Sequence, residues 1–188
     1  MVWGMDGAML DWTLGILSFF LFFLYDWNRV FRKNTWMRPW FAIGNLLLAA
    51  VAVRMLLKAL SENGINGKIW ICIGSIFLIV LIYTLYFALP FDSTYCQEAD
   101  GHKVCRTGMY GWCRHPGIWW FLGMFVSFGM AAGGGEALWL GLVLSFLNLL
   151  YAWYQDRWIF VREFSDYEDY RREVPFLIPG RGKGGVHA

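Results

Sequence analysis

Several apolar runs of about twenty residues, parted by short charged or glycine-rich connections, constrain this chain more than any other feature. A helix needs roughly 20 mostly apolar residues to cross a bilayer, and in lipid the backbone has to satisfy its own N–H and C=O groups. The first run extends from about Met9 to Tyr25. The second extends from Trp40 to about Leu60, with Arg54 and Lys58 near one end, where long side chains reach toward the interface. The third, Ile69 to Leu89, carries no formal charge and stops at Pro90. A shorter fourth run, from about Gly117 to Ala132, is followed by Gly133-Gly134-Gly135 and then by a fifth, Ala137 to about Tyr154. Three glycines between two apolar runs predict a tight hairpin, so runs four and five should be antiparallel neighbours.

Composition supports a lipid solvent. Hydrophobic residues make up 58% of the chain and charged residues 16%, against about 25% charged in an ordinary soluble domain. The 12 Trp and 9 Tyr suit membrane interfaces, where amphipathic rings collect. The expected fold is therefore all-α, a polytopic transmembrane bundle of about five spans forming one domain over residues 1–188. A net charge of +2 offers no general case for nucleic-acid binding. The N-terminus, acidic at Asp6 and Asp11, lacks the positive region of a cleavable signal peptide. There is no internal repeat.

Charge placement predicts orientation. Thirteen of the sixteen Lys and Arg residues fall on one side of the five-span arrangement: Arg29, Arg32, Lys33 and Arg38 after the first run, Lys103, Arg106 and Arg114 before the fourth, and six from Arg157 to Lys183 after the fifth. Only Arg54, Lys58 and Lys68 belong to the other side. The positive-inside rule makes the richer side cytoplasmic, with the N-terminus outside and the C-terminus inside. Cys72, Cys96, Cys105 and Cys113 show no CxxC spacing. Cys96 and Cys105 are near enough along the chain to pair, but a reducing compartment favours free thiols.

Polar sequence is concentrated in two stretches on the expected cytoplasmic side, Asp92 to His115 and Gln155 to Ala188. The connection between the third and fourth runs reads DGHKVCRTGMYGWCRHPG, Asp100 to Gly117, which is too long and varied for a simple turn. Pro116 suits the first turn of a helix, because its missing N–H has no intrahelical partner there, and the free N–H groups of that helix start suit an anion. Read alone, Arg114 and His115 are equally interface anchors, and His102 a solvated loop histidine. A zinc site from His102, Cys105, Cys113 and His115 matches no common spacing. The second stretch continues the fifth run as a charged aromatic helix whose Ile159, Phe160, Phe164 and Tyr167 recur at helical spacing. From it Asp156, Glu163 and Tyr167 or Tyr170 could reach a ligand. The expectation for Tyr167, Tyr170, Asp166, Glu168 and Asp169 is a solvated amphipathic anchor. Pro175 and Pro179 end the helix, and the glycine-rich tail reads as mobile.

These stretches together resemble the isoprenylcysteine carboxyl methyltransferase and phospholipid methyltransferase superfamily. The resemblance rests on GHKVC (Gly101 to Cys105), GMY (Gly108 to Tyr110), RHP (Arg114 to Pro116) and YEDYRREVPFLIP (Tyr167 to Pro179), in that order, and covers about Asp100 to Pro179. It implies a cofactor-binding core in residues 92–180, preceded by spans within residues 1–91. It implies that S-adenosylmethionine is bound by His102, Lys103, Val104, Cys105, Tyr110, His115, Pro116, Gly117 and Ile118. An aromatic face such as Tyr110 suits the cationic sulfonium, Arg114 the methionine carboxylate, and Asp156 the ammonium or ribose hydroxyls. Tyr110, Arg114 and His115 would position the reactants, with no protein nucleophile and no metal. The acceptor implied is a lipid amine, thiol or carboxylate arriving sideways from the bilayer, along Trp119, Trp120, Gly123 and Phe125 if those are not simply packing residues.

The sequence departs from the family pattern in places. Ile118 stands where a tyrosine is common and Trp120 where a glycine is. The usual Glu-Glu pair appears as Gln155-Asp156, and Tyr151 and Ala152 provide no equivalent of the arginine that prenylcysteine enzymes place before it. Two other readings stand beside methyl transfer. One is an NADPH-dependent membrane reductase of the sterol reductase type; the other is a non-catalytic membrane protein that keeps the fold.

Overall fold

The computed structural model describes residues 5–61, 64–87, 103, 104, 106 and 108–178, and their regular structure is entirely helical. Helix α1 is Met5–Trp27, α2 is Trp40–Ser61 and α3 is Ile65–Tyr86. Helix α4 is Gly117–Ala131 and α5 is Gly135–Tyr154. Two short helices follow, α6 at Phe160–Glu163 and α7 at Tyr167–Glu173. Two π-helical turns interrupt the pattern, Asn28–Arg32 after α1 and Gln155–Ile159 after α5.

The first helix is built inside out relative to a soluble one. Asp11, Gly15, Ser18, Phe22 and Asp26 are buried, at intervals of four, three, four and four residues. That spacing keeps them on one stripe of a helix with 3.6 residues per turn. The opposite face exposes Met9, Ile16 and Phe20. A lipid solvent explains the pattern, since apolar side chains lose nothing by facing hydrocarbon and ionisable ones have to face the bundle.

Helix α4 forms the centre. Eight of its fifteen residues are buried, and it packs against α2, α3 and α5 while α1 packs against α2 and α5. The core gathers Phe19 and Phe22 of α1, Val51 and Met55 of α2, Phe121, Phe125 and Phe128 of α4, and Leu144 and Tyr151 of α5. The hairpin between α4 and α5 forms as the glycines predict: Gly133, Gly134 and Gly135 all have positive φ, at 92°, 70° and 53°. Where the two helices run close, a Cβ on Gly141 would lie 2.7 Å from the Phe125 carbonyl oxygen, and one on Gly129 would lie 2.7 Å from the Leu138 Cα. Only hydrogen fits at those contacts.

Among the described residues, four helical segments are long and apolar enough to cross a membrane: 6–32, 35–61, 65–85 and 135–163. The five-span expectation is refined at α4, whose fifteen residues extend only about 22 Å at 1.5 Å per residue, short of a hydrocarbon core of about 30 Å. The described residues form an all-helical integral membrane protein. The first and third helices begin four residues before the apolar runs suggest, because interfacial residues such as Asp6 and Lys68 continue a helix without adding to its apolar signal. Arg54 is corrected as well: it does not simply reach for the interface, but pairs through Nε with the buried Asp11 carboxylate and donates to the Gly7 carbonyl at 3.2 Å.

Candidate functional site

The chain just before α4 is stitched to the chain just after α7. The Arg114 amide donates to the Pro175 carbonyl at 3.0 Å, and the His115 amide to that of Phe176 at 3.3 Å. The Arg114 guanidinium donates to the Arg171 carbonyl at 2.9 Å, and the Trp119 indole to that of Leu177 at 2.9 Å. Pro116, buried, caps α4 with ordinary helical φ. The two polar stretches of the sequence thus meet at one end of the bundle.

Asp156 lies at the meeting point. It sits in the π turn at the end of α5 and is 5% exposed. Its Oδ1 accepts a hydrogen bond from the Tyr167 hydroxyl at 2.6 Å. Arg114 Nε lies 3.0 Å and His115 Nε2 3.5 Å from the same oxygen, and Arg171 Nε 3.7 Å from Oδ2. Charge attraction holds for the two arginines at those separations, yet the Arg114 Nε and His115 Nε2 atoms are buried without a directed hydrogen bond. The His115 ring lies between Phe160 (centroids 6.0 Å apart, planes 14° apart) and Phe176 (4.9 Å).

Burial pushes the His115 imidazole below its ordinary value, against the pull of Asp156 and with the help of the Arg114 charge. That shift favours the neutral form of the ring. Burial, then the hydrogen bond to Asp156, drives the Tyr167 hydroxyl far above the range in which a phenol ionises in water. Burial also raises the Cys113 thiol, against a hydrogen bond with the His115 backbone, which leaves this cysteine a poor nucleophile. Cys72 and Cys113 are free thiols. Among the described residues no three His, Cys, Asp or Glu side chains gather as metal ligands.

The other expected residues take varied places. The Tyr110 hydroxyl donates to the Thr84 carbonyl near the end of α3 at 3.1 Å, and the Tyr170 hydroxyl to the Tyr110 carbonyl at 2.7 Å. Lys103 is exposed. Val104 packs on Tyr167, Tyr170 and Val174, and its amide donates to Asp166 Oδ1 at 2.9 Å. Ile118 is buried, and Gly117 faces Leu81 and Leu85 of α3 at ordinary contact distance. His102 and Cys105 lie outside the described residues. Gly123 meets the Phe77 ring of α3 and Phe125 is fully buried, so both serve helix packing.

Part of the solvated-anchor expectation fails. Tyr167 and Tyr170 are 3% and 2% exposed, because each hydroxyl has a partner inside the protein. Asp166 holds Val104 and Arg106, the latter at 2.9 Å, while Arg106 also reaches Glu173 at 2.7 Å. Glu168 and Asp169 remain exposed as expected. Glu163 does not turn toward Asp156 but binds Arg29 at 2.7 Å. Gln155 turns to Asp26, which accepts its amide at 2.8 Å and the Tyr151 hydroxyl at 2.6 Å. Sequence reading missed Asp26, Arg29, Tyr151, Arg171 and Phe176. The signal for Asp26 was available, since an ionisable residue at the end of an apolar run has to find a partner.

The Phe176 ring lies beside both the Arg114 guanidinium, 5.7 Å from its centroid, and the His115 ring. Two cavities lie at the opposite end of the bundle. One, of about 370 Å³, is lined by Trp70, Met130 and the glycines around 64–67 and 133–134; the other, of about 20 Å³, adjoins Asp11 and Lys58. Compared with known proteins, the chain matches no family model, no curated protein and no solved structure.

Proposed function

We propose that this membrane protein transfers a methyl group from S-adenosylmethionine to a lipophilic or membrane-associated acceptor. The convergence of Arg114, His115 and Asp156 at one end of the bundle carries the reading. It supplies donors for a carboxylate next to a carboxylate for an ammonium, the two charges of an amino-acid moiety. When bound, the cofactor supplies a methyl group made electrophilic by its sulfonium. The residues of this chain would hold and align it: Arg114 and His115 at the carboxylate, Asp156 at the ammonium or ribose, and aromatic rings around the sulfonium. An uncharged His115 suits a role as a hydrogen-bonding group that does not repel a cation. His102 and Cys105 belong to the same proposed set through the sequence resemblance. The orientation we propose puts the His115 end at the cytoplasm, where a water-soluble donor is available, with the N-terminus outside.

Calorimetry in detergent tests the reading by titrating S-adenosylmethionine and, separately, NADPH. Binding of the first and not the second is expected, and His115→Ala should weaken it. Binding of NADPH alone would move the protein to the reductases. One observation favours a non-catalytic role: Asp156 Oδ1 already accepts from Tyr167 and lies 3.0 Å from Arg114. Binding of neither ligand would support that role. A labelled methyl donor supplied with a membrane extract then identifies the acceptor.

A further inference from the structure

The two π turns among the described residues are tied to each other through Asp26. Such turns are rare and occur mostly as single-turn interruptions, often at functional sites. Here one follows α1 and contains Arg29, and the other follows α5 and contains Gln155 and Asp156. Between them lies Asp26, 2% exposed. Its Oδ2 accepts from Tyr151 at 2.6 Å and from Gln155 at 2.8 Å, and its Oδ1 is 3.3 Å from Arg29. Arg29 goes on to grip both oxygens of Glu163 at 2.7 Å.

These contacts flank Asp156 on both sides. Tyr151 and Gln155 are four residues apart and share one helix face, so Asp26 fixes the rotation of α5 just before the π turn. Glu163, held by Arg29, fixes the chain just after it. Gln155 and Asp156 are consecutive in the π turn, and their side chains point to different partners. One faces α1, and the other faces Arg114 and His115. A rotation of the turn that released Gln155 would carry Asp156 away from its partners.

We propose that Asp26, acting with Arg29, is a positioning residue that sets the aim of Asp156. Its effect on ligand affinity rests on the methyl-donor reading above; its effect on the Asp156–His115 contact does not. The test uses the full-length protein in detergent with ¹⁵N-labelled histidine side chains. The His115 resonance is identified by its loss in His115→Gln. Asp26→Ala and Gln155→Glu should each shift that resonance and weaken S-adenosylmethionine binding on the order of tenfold, the scale typical of lost outer-shell support. The double variant Asp26→Asn with Gln155→Glu moves the carboxylate from α1 to α5 and should restore both readouts. Asp26→Asn alone, which keeps shape but not charge, decides the case if Asp26→Ala does not fold.

A His115 resonance unmoved in a folded Asp26 variant overturns the positioning role, whatever the ligand does. A shifted resonance that the double variant does not restore overturns it as well. If the wild-type chain binds no S-adenosylmethionine while the resonance shifts and is restored, the methyl-donor reading falls and the positioning role stands.

Discussion

Asp156 gathers four polar partners at this end of the molecule, Tyr167, Arg114, His115 and Arg171. Its removal leaves Arg114, 8% exposed at the side chain, buried without its anion. Breaking a buried pair by deleting one partner typically costs about 3–5 kcal/mol, so Asp156→Ala should lower the thermal midpoint markedly in detergent. Tyr167→Phe deletes one hydrogen bond to the same carboxylate, and a loss of about 1–3 kcal/mol is expected. An Asp156→Ala effect no larger than that of Tyr167→Phe would show that the charge is not shared as described.

His115 gives the site a pH dependence with a definite sign. Burial holds the folded imidazole below its ordinary value of 6.5, so the unfolded chain binds this proton more readily. The stability contributed by the neutral ring is complete above about 6.5 and is lost as pH falls through the lower folded value. Unfolding followed between pH 7.5 and 5 should show this decline, and His115→Gln should flatten it. An equal slope in both proteins would assign the acid sensitivity to other groups.

At the scale of elements, contacts between backbones decide which glycines matter. A Cβ at Gly129 or Gly141 would meet the facing helix backbone, which cannot swing aside as a side chain can. Alanine at either position should cost about 1–3 kcal/mol through overpacking. Gly64 has no atom within 4 Å of its Cβ direction and a φ of −81°, so Gly64→Ala should leave the melting midpoint unchanged. The Asp166 contacts make a second prediction. Asp166→Ala removes the acceptor of the Val104 amide and one carboxylate of Arg106. Hydrogen exchange at Val104 should accelerate while exchange in α4 stays slow. Acceleration throughout the bundle would mean that Asp166 supports the whole fold rather than this strand of chain.

For the whole molecule, the charge asymmetry and the helical hairpins jointly predict sidedness. Asn34 and Gly64 lie at opposite ends of α2, and both are exposed. In a cysteine-free background, cysteine at position 34 should react with a membrane-impermeant thiol reagent only after cells are opened, and cysteine at position 64 before. The reverse pattern would put the His115 end outside and remove access to a cytoplasmic donor. The same geometry accounts for the place of α4. Too short to cross alone, it is held in the bundle by α2, α3 and α5, and its start is pinned to the chain after α7.

Much of this was legible in the residues themselves. Apolar length and spacing report contact with lipid, so the helical class, the α4–α5 hairpin and the two polar stretches could be read without coordinates. The meeting of Arg114, His115 and Asp156 was an expectation that the order of motifs suggested. Pairing was not legible. Gln155 and Asp156 are neighbours in sequence but face different helices, and Arg54 chose Asp11 over the interface. Tyr167 and Tyr170 looked like solvated anchor residues because an amphipathic stripe does not say which side has a partner. Hydrophobic pattern records the solvent each residue meets, and that is a local property. The partner of a buried charge depends on helix rotation and on contacts between segments more than a hundred residues apart, and those are settled only when the bundle closes.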